Sequence, residues 1–246
     1  MAVRTYRKST ENEEENPYWV SFSDIMAGLL VLFILAALAL ILELMATKIR
    51  VSQSLQELVK AESVRADILR EVREELAKAN IVVEIGDNDT VLRIPESTLT
   101  FKTNRFEIPD NVELRNRVRA IGSVLSQAIR KENRWGYLDT IFVEGHTDIR
   151  PSNRNMGNWG LSTFRAASVW LFWEESLDNN SKLSSLMNHS NAPLFSVSGY
   201  GETRPTQKIQ QTNEQLRQNR RIDLRITVKR PKSEDIRNIL NEFSKG

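Results

Sequence analysis

The sequence contains no cysteine and only two histidines, His146 and His189, among 246 residues. The absence of cysteine excludes disulfides, thiolate metal sites and cysteine nucleophiles. His146 lies near Glu144 and Asp148, but no second histidine is close in the chain, so this is a weak metal-ligand set. No nucleophile elbow is present either. We therefore expect a protein that is not an enzyme and has no cofactor or metal site.

A strong excess of charge of either sign is also lacking. The chain has 34 Lys and Arg residues against 32 Asp and Glu residues, a net charge of +2. Proteins that bind nucleic acid owe much of their affinity to basic groups that neutralise phosphates. Direct binding of nucleic acid is therefore not expected. The length has room for one ordinary domain with an extension.

A long apolar run near the N terminus is the first feature that the sequence does contain. Ile25 to Leu42 is a run of 18 residues without a charge, and Trp19 to Leu42 is a run of 24 in which Asp24 is the only charge. Either run can cross a hydrocarbon layer of about 30 Å. Both exceed the apolar core of a cleaved signal peptide, about 7–15 residues. The sequence predicts a retained transmembrane helix over residues 19–42, after a tail of residues 1–18.

Asp24 at the start of this run permits two interpretations. If the helix begins at Ser23 or Asp24, the side chain caps the helix N terminus at the membrane edge. If the helix begins near Trp19, Asp24 lies about 7–8 Å farther in, and an ionisable group inside a membrane helix commonly marks an ion or proton pathway. Gly28, one turn along the same face, would allow a partner helix to approach. The local sequence leaves both interpretations open, and the basic residues flanking the span are balanced and do not orient it.

Residues 43–80 are predicted to form a helical stalk. No proline or glycine interrupts residues 43–78, and apolar residues recur at heptad spacing. One seam contains Leu44, Val51, Leu58 and Val72, and the other contains Leu55, Leu69 and Leu76. The favoured interpretation is a parallel dimeric coiled coil, interrupted by Lys48, Glu62 and Arg65. The alternative is a helix that packs on its own domain.

The remaining sequence alternates between extended and helical patterns. We predict a hairpin of strands 81–85 and 91–94, helices over 110–131 and 162–175, and strands at 141–144, 195–198 and 222–228. This order indicates an α/β sandwich of βαβαβ type over residues 81–230, with the helices on one sheet. A charged tail of residues 231–246 follows.

Four short motifs within this region occur in a characteristic order. They are Val143-Glu144-Gly145-His146-Thr147-Asp148, Asn158-Trp159-Gly160-Leu161-Ser162-Thr163-Phe164-Arg165-Ala166, Gly199-Tyr200-Gly201-Glu202-Thr203-Arg204-Pro205 and Asn219-Arg220-Arg221-Ile222-Asp223. Together they resemble the motifs of OmpA-like peptidoglycan-binding domains, and the second is most similar to the MotB branch.

This resemblance implies a ligand and a set of site residues. The diaminopimelate group of a peptidoglycan stem peptide carries an ammonium and carboxylates, so its receptor needs an anionic acceptor and a guanidinium. By the resemblance, Asp148 and Arg165 hold this ligand. Thr147, Asn158, Leu161 and Arg221 occupy neighbouring motif positions. The connection from Asp148 to Arg165 is longer than in most simple OmpA domains, so we expect a different pocket rim.

The apolar span, stalk and OmpA-like domain together resemble the MotB class of ion-driven stator subunits. That resemblance implies a single-pass inner-membrane protein with a cytoplasmic N terminus and a periplasmic C-terminal domain. It further implies a homodimer within a ring of MotA-like multi-span subunits, with Asp24 as the ion relay. Because the span offers few oxygen ligands for sodium, we expect the transported ion to be a proton.

Within this class the chain is most similar to the ZorB subunits of the Zorya anti-phage defence system. The resemblance rests on the stretch from Ser21 to Leu30 and on the acidic N-terminal tail. It implies a ZorA-like partner and a role in defence. A flagellar MotB-type stator subunit and a passive peptidoglycan tether are the alternatives.

Overall fold

The computed structural model describes residues 17–230. The C-terminal tail predicted over residues 231–246, and residues 1–16 of the predicted N-terminal tail, lie outside the described residues. The chain divides into two compact units, residues 1–53 and 54–246.

Helix α1 spans Pro17–Lys78. Within the described residues it is the one helix long and apolar enough to cross a membrane, and an 18-residue window of it reaches a mean hydropathy of 3.1. Because the helix begins at Pro17, Asp24 lies in its second turn, where the backbone N–H groups have intrahelical acceptors. The interpretation of Ser23 or Asp24 as the helix cap is therefore wrong.

The second unit contains a five-stranded mixed sheet. Its strands are β1 (Glu84–Gly86), β2 (Val91–Pro95), β3 (Leu138–His146), β4 (Phe195–Gly199) and β5 (Arg221–Val228). The spatial order is β1-β2-β5-β3-β4. Strands β3 and β4 are parallel, and the other neighbouring pairs are antiparallel. The parallel pair requires a crossover, which the helix between β3 and β4 provides.

Three further α-helices lie in the described part of this unit: α2 (Val112–Arg130), α3 (Gly157–Ser176) and the short α4 (Asn213–Asn219). Buried residues of α2 and α3 share one hydrophobic core with apolar residues of the sheet. At the contact between the two helices, the Nε1–H of the fully buried Trp173 donates to the carbonyl of Val118 at 2.7 Å. The predicted α/β sandwich fold is confirmed.

The last turns of α1 belong to the same core. The α1 residues buried in this core are Ala61, Val64, Ile68, Leu69, Val72 and Leu76. Leu69, Val72 and Leu76 were predicted to form part of a dimer seam, but they are at most 1% exposed within one chain and are unavailable to a second. For this segment the alternative, a helix packed on its own domain, describes the structure. Farther toward the N terminus, the seam residue Leu55 is 57% exposed.

Several boundaries and one element differ from the sequence prediction. Strand β1 is shorter than expected, and α3 begins five residues before the predicted Ser162. Helix α4 was not predicted, although Thr212 and Gln215 form a capping box at its start. Its seven residues are too few to show helical periodicity in the sequence.

Candidate functional site

The site lies where the end of β3 meets the first turns of α3. Gly145 permits this approach, because a Cβ atom at that position would lie 1.9 Å from the carbonyl oxygen of Ser162. Thr147 and Asp148 follow β3 directly, and Arg165 lies about two turns into α3. The close contact of strand and helix thus brings together two motifs that are separated in the sequence.

A cavity of about 290 Å³ opens at this junction. Five of the six predicted wall-binding residues line it: Thr147, Asp148, Asn158, Leu161 and Arg165. The other lining residues are Glu96, Phe101, Thr103, Asn104, Arg150, Pro151, Ser152 and Arg220. The cavity therefore combines two carboxylates and three guanidinium groups with a few apolar surfaces.

The guanidinium of Arg165 is buried without a carboxylate partner. Its Nε donates to the carbonyl of Arg105 at 2.9 Å and one terminal nitrogen donates to the carbonyl of Lys102 at 3.3 Å. The group also lies 5.0 Å from the ring centre of Phe101. Among residues 17–230 no carboxylate oxygen lies within 4.0 Å of it, whereas the buried Arg65 and Arg221 both have ion-pair partners.

Burial lowers the pKa of Arg165 to about 10, although the negative charges of Glu96 and Asp148 oppose that shift. The side chain is therefore still protonated at neutral pH, and the residue is only 6% exposed. A buried cation that has only carbonyl partners has lost most of its hydration without gaining a counter-ion. It is well placed to bind an anion that enters the cavity.

Asp148 lies in the same cavity but pairs with other arginines. Arg150 donates to it through a terminal nitrogen at 2.6 Å, through Nε at 3.1 Å and through its backbone N–H at 3.0 Å. Arg220 also donates to Oδ2 of Asp148. Burial alone would raise the pKa of Asp148, but these hydrogen bonds hold it below its usual range. The carboxylate is thus ionised at neutral pH.

Three other predicted residues shape the cavity. The side chain of Asn158 donates to the carbonyl of Arg150 at 3.1 Å and holds the connection after β3 against α3. Leu161 contributes a buried apolar surface. The hydroxyl of Thr147 is buried and has no hydrogen-bond partner within residues 17–230. It is therefore a candidate ligand-binding group beside Asp148.

The sixth predicted residue, Arg221, does not line this cavity. It is buried, pairs with Asp223 at 2.9 Å and donates to the carbonyls of Asn219 and Arg204. Its neighbour Arg220 lines the cavity instead and joins Asp148 to Glu96, binding Glu96 through two nitrogens at 2.5 Å. The motif contains two adjacent arginines: Arg221 is the first residue of β5, and Arg220, the residue before the strand, has the side chain that lines the cavity.

A second polar cluster lies on the neighbouring strands β3 and β5. Glu144, His146 and Asp223 are buried with their ligand atoms within 4.8 Å of one another. This set contains Asp223 rather than Asp148, the residue considered from the sequence. Arg225 already pairs with Glu144, and both Arg93 and Arg221 pair with Asp223. The carboxylates are thus neutralised by guanidinium groups, which would repel a bound cation.

Comparison with known proteins shows the fold of this domain. No protein-family model and no curated protein matches the chain. A MotB-like protein from Desulfovibrio vulgaris is 18% identical, with 70% of this chain and 99% of that chain covered, at a TM-score of 0.50. The chain therefore has the fold of MotB-like proteins.

Two further solved structures are similar to the chain. The periplasmic domain of Helicobacter pylori MotB is 22% identical, covering 65% of this chain and 90% of that chain, at a TM-score of 0.44. The cell wall anchor of the type VI secretion system from Pseudomonas aeruginosa is also 22% identical, covering 65% and 97%, at a TM-score of 0.45.

Proposed function

We propose that the chain anchors itself to peptidoglycan through the cavity between β3 and α3. The observation that carries this proposal is the buried guanidinium of Arg165, which faces a ligand-sized cavity without a carboxylate partner. A free carboxylate of a peptidoglycan stem peptide would supply the missing counter-ion, with charge-assisted hydrogen bonds that are stronger than neutral ones. Asp148 and the Thr147 hydroxyl would receive the neighbouring ammonium group.

Sedimentation with purified peptidoglycan tests this proposal. The full-length protein in detergent should sediment with the wall, and Arg165→Ala should weaken binding about ten- to hundredfold, as expected for one hydrogen-bonded charge. Arg119→Ala is the matched control, because Arg119 is exposed on α2 and bonds only Asn116 among the described residues. Equal binding by wild type and Arg165→Ala would contradict the proposed pocket.

The anchor is proposed to belong to a single-pass inner-membrane protein. Peptidoglycan lies outside the inner membrane, so a wall-binding C-terminal domain requires a cytoplasmic N terminus and a span over about residues 19–42. The apolar part of α1 supports this arrangement by its length and composition. Protease protection in spheroplasts would test it: residues 54–230 should be cleaved from outside, and protection of this domain would contradict the orientation.

We further propose that two chains form the core of an ion-driven stator, surrounded by MotA-like multi-span subunits. Asp24 would relay the ion, because it is the one charged residue between Trp19 and Leu42 and lies within the helix rather than at its cap. An ionisable group inside a membrane helix commonly marks an ion or proton pathway. The ion is proposed to be a proton rather than sodium.

Ion flux with the partner subunit, measured across pH and sodium gradients, tests the relay. Asp24→Asn keeps the size of the side chain but cannot exchange a proton, so it should abolish flux while peptidoglycan binding is retained. Retained binding is the internal control for folding. Undiminished flux or biological activity in Asp24→Asn would favour the alternative, a passive wall tether.

A role in anti-phage defence of the Zorya type, with a ZorA-like partner, is proposed from the resemblance of the span to ZorB. A flagellar MotB-type role is the second candidate, supported by the same MotB-like fold. Deletion of the gene separates them. Loss of phage resistance with normal swimming would support defence, and loss of swimming with unchanged plaque formation would support the flagellar role.

A further inference from the structure

Arg150 covers the carboxylate that the proposed ligand would need. Its guanidinium lies against both oxygens of Asp148, at 3.3 Å from Nε to Oδ1 and 2.6 Å from the terminal nitrogen to Oδ2. The same residue lies in the connection between Asp148 and Arg165, and the side chain of Asn158 donates to its carbonyl. The contact between Arg150 and Asp148 therefore lies within the lining of the cavity.

The hydrogen-bonding capacity of Asp148 is fully used. A carboxylate offers about four lone-pair sites. Asp148 receives the backbone N–H, Nε and a terminal nitrogen of Arg150 together with one nitrogen of Arg220. A ligand ammonium can therefore bind Asp148 only if one of these donors leaves.

Arg220 and Arg150 differ in their exposure and in the number of their ion-pair partners. The side chain of Arg220 is 18% exposed and is fixed by two bonds to Glu96. The side chain of Arg150 is 59% exposed, and Asp148 is its one ion-pair partner among residues 17–230. The guanidinium of Arg150 is thus largely in solvent and, in the described part of the chain, has no second ion-pair partner to hold it, so Arg150 is the donor that can be displaced.

We propose that the guanidinium of Arg150 competes with a ligand ammonium for Asp148 and must be displaced before the ammonium can bind. Arg150 thereby sets the selectivity of the cavity between zwitterionic and purely anionic ligands. This inference rests on the proposed function and deepens it. With Arg150 in place, Asp148 is neutralised, and the site favours carboxylates through Arg165. A ligand that carries an ammonium beside its carboxylate binds more tightly only after that ammonium replaces the guanidinium of Arg150 at Asp148.

Two small ligands separate this competition from a general effect of charge. meso-Diaminopimelate carries ammonium and carboxylate groups, and pimelate is the same seven-carbon dicarboxylate without the amino groups. Calorimetric titration of the full-length protein in detergent gives both affinities. Arg150→Ala should bind diaminopimelate about fivefold tighter, because the ligand ammonium no longer has to displace a guanidinium from Asp148. Pimelate should bind no tighter, because the substitution removes a positive charge.

Arg150→Lys and Arg119→Ala complete the experiment. The lysine variant keeps the charge but loses the two-pronged contact, so its affinity for diaminopimelate should lie between those of wild type and Arg150→Ala. Arg119→Ala should change neither affinity.

The outcomes distinguish this inference from the proposed function. If wild type binds peptidoglycan but Arg150→Ala binds diaminopimelate no tighter, the competition is refuted and the wall anchor stands. Equal tightening for both ligands would also refute it, because that result indicates a more open cavity. If wild type binds neither peptidoglycan nor diaminopimelate, the proposed function fails and the inference fails with it.

Discussion

Replacing Gly145 with alanine should damage both the fold and the wall site. The added Cβ atom would lie 1.9 Å from the carbonyl oxygen of Ser162, whereas ordinary contacts begin at 3.4 Å. The strand and helix must then separate by about 1.5 Å, the difference between these two distances. Overpacking of this kind costs about 1–3 kcal/mol of unfolding free energy.

The same separation acts on the cavity. Asp148 follows β3 and Arg165 lies on α3, so moving the helix changes the distance between the two groups proposed to bind one ligand. A shift of about 1.5 Å exceeds the roughly 0.5 Å range of good hydrogen-bond distances. We therefore expect Gly145→Ala to bind peptidoglycan at least about tenfold more weakly than wild type.

Urea unfolding and peptidoglycan sedimentation measure the two effects. Gly136→Ala is the matched control, because a Cβ atom at Gly136 would have no other heavy atom within 4 Å. It should leave stability within about 0.5 kcal/mol of wild type and binding unchanged. A Gly145→Ala protein as stable as Gly136→Ala, with wild-type binding, would refute the reasoning.

Three further predictions concern helix α1, the cavity and Arg221. Leu69→Ala should lower the unfolding free energy by about 2–5 kcal/mol, whereas Leu55→Ala, at an exposed position, should change the unfolding free energy little. Equal effects of the two substitutions in urea unfolding would contradict the packing of α1 on its own domain. Hydrogen bonds hold the pKa of Asp148 below its ordinary 3.8, so its ion pairs stabilise the fold at any pH above 3.8. The stability advantage of wild type over Asp148→Asn should therefore be constant above about pH 5 and should shrink as the pH falls below 5. An advantage that grows on acidification would show the opposite sign. Arg221→Gln should lower thermal stability, but the protein that remains folded should still sediment with peptidoglycan. Loss of binding without loss of stability would show that Arg221 takes part in binding.

The motifs predicted most of the cavity because they combine unusual residue types with fixed spacing. Asp148 and Arg165 were assigned to one site although 17 positions separate them in the sequence. The structure places both in one cavity but without a direct bond, because Arg150 and Arg220 occupy Asp148. The sequence could not show this arrangement, since it depends on how the connection after β3 folds back.

Arg221 lies outside the cavity for a different reason. Adjacent residues in a strand point to opposite faces, so a one-residue difference in where the strand begins exchanges their side chains. The short helix α4 ends at Asn219 and β5 begins at Arg221, which leaves Arg220 between them. Arg220 therefore follows a helix that the sequence prediction missed, and its side chain lines the cavity.

The pattern in α1 was ambiguous because one helical face can serve two purposes. Apolar residues at three- and four-residue spacing fit a partner helix or the core of the same domain equally well. Over Ala61 to Leu76 the core takes that face. Leu55, an exposed seam residue nearer the N terminus, remains part of the predicted dimer contact.

The most direct test of the proposed wall anchor is a structure of the full-length protein with a muropeptide that contains meso-diaminopimelate. The proposal predicts a ligand carboxylate about 2.7–2.9 Å from a guanidinium nitrogen of Arg165, within the cavity that Thr147, Asp148 and Leu161 line. A muropeptide bound elsewhere on the domain, or bound without any contact to Arg165, would contradict it.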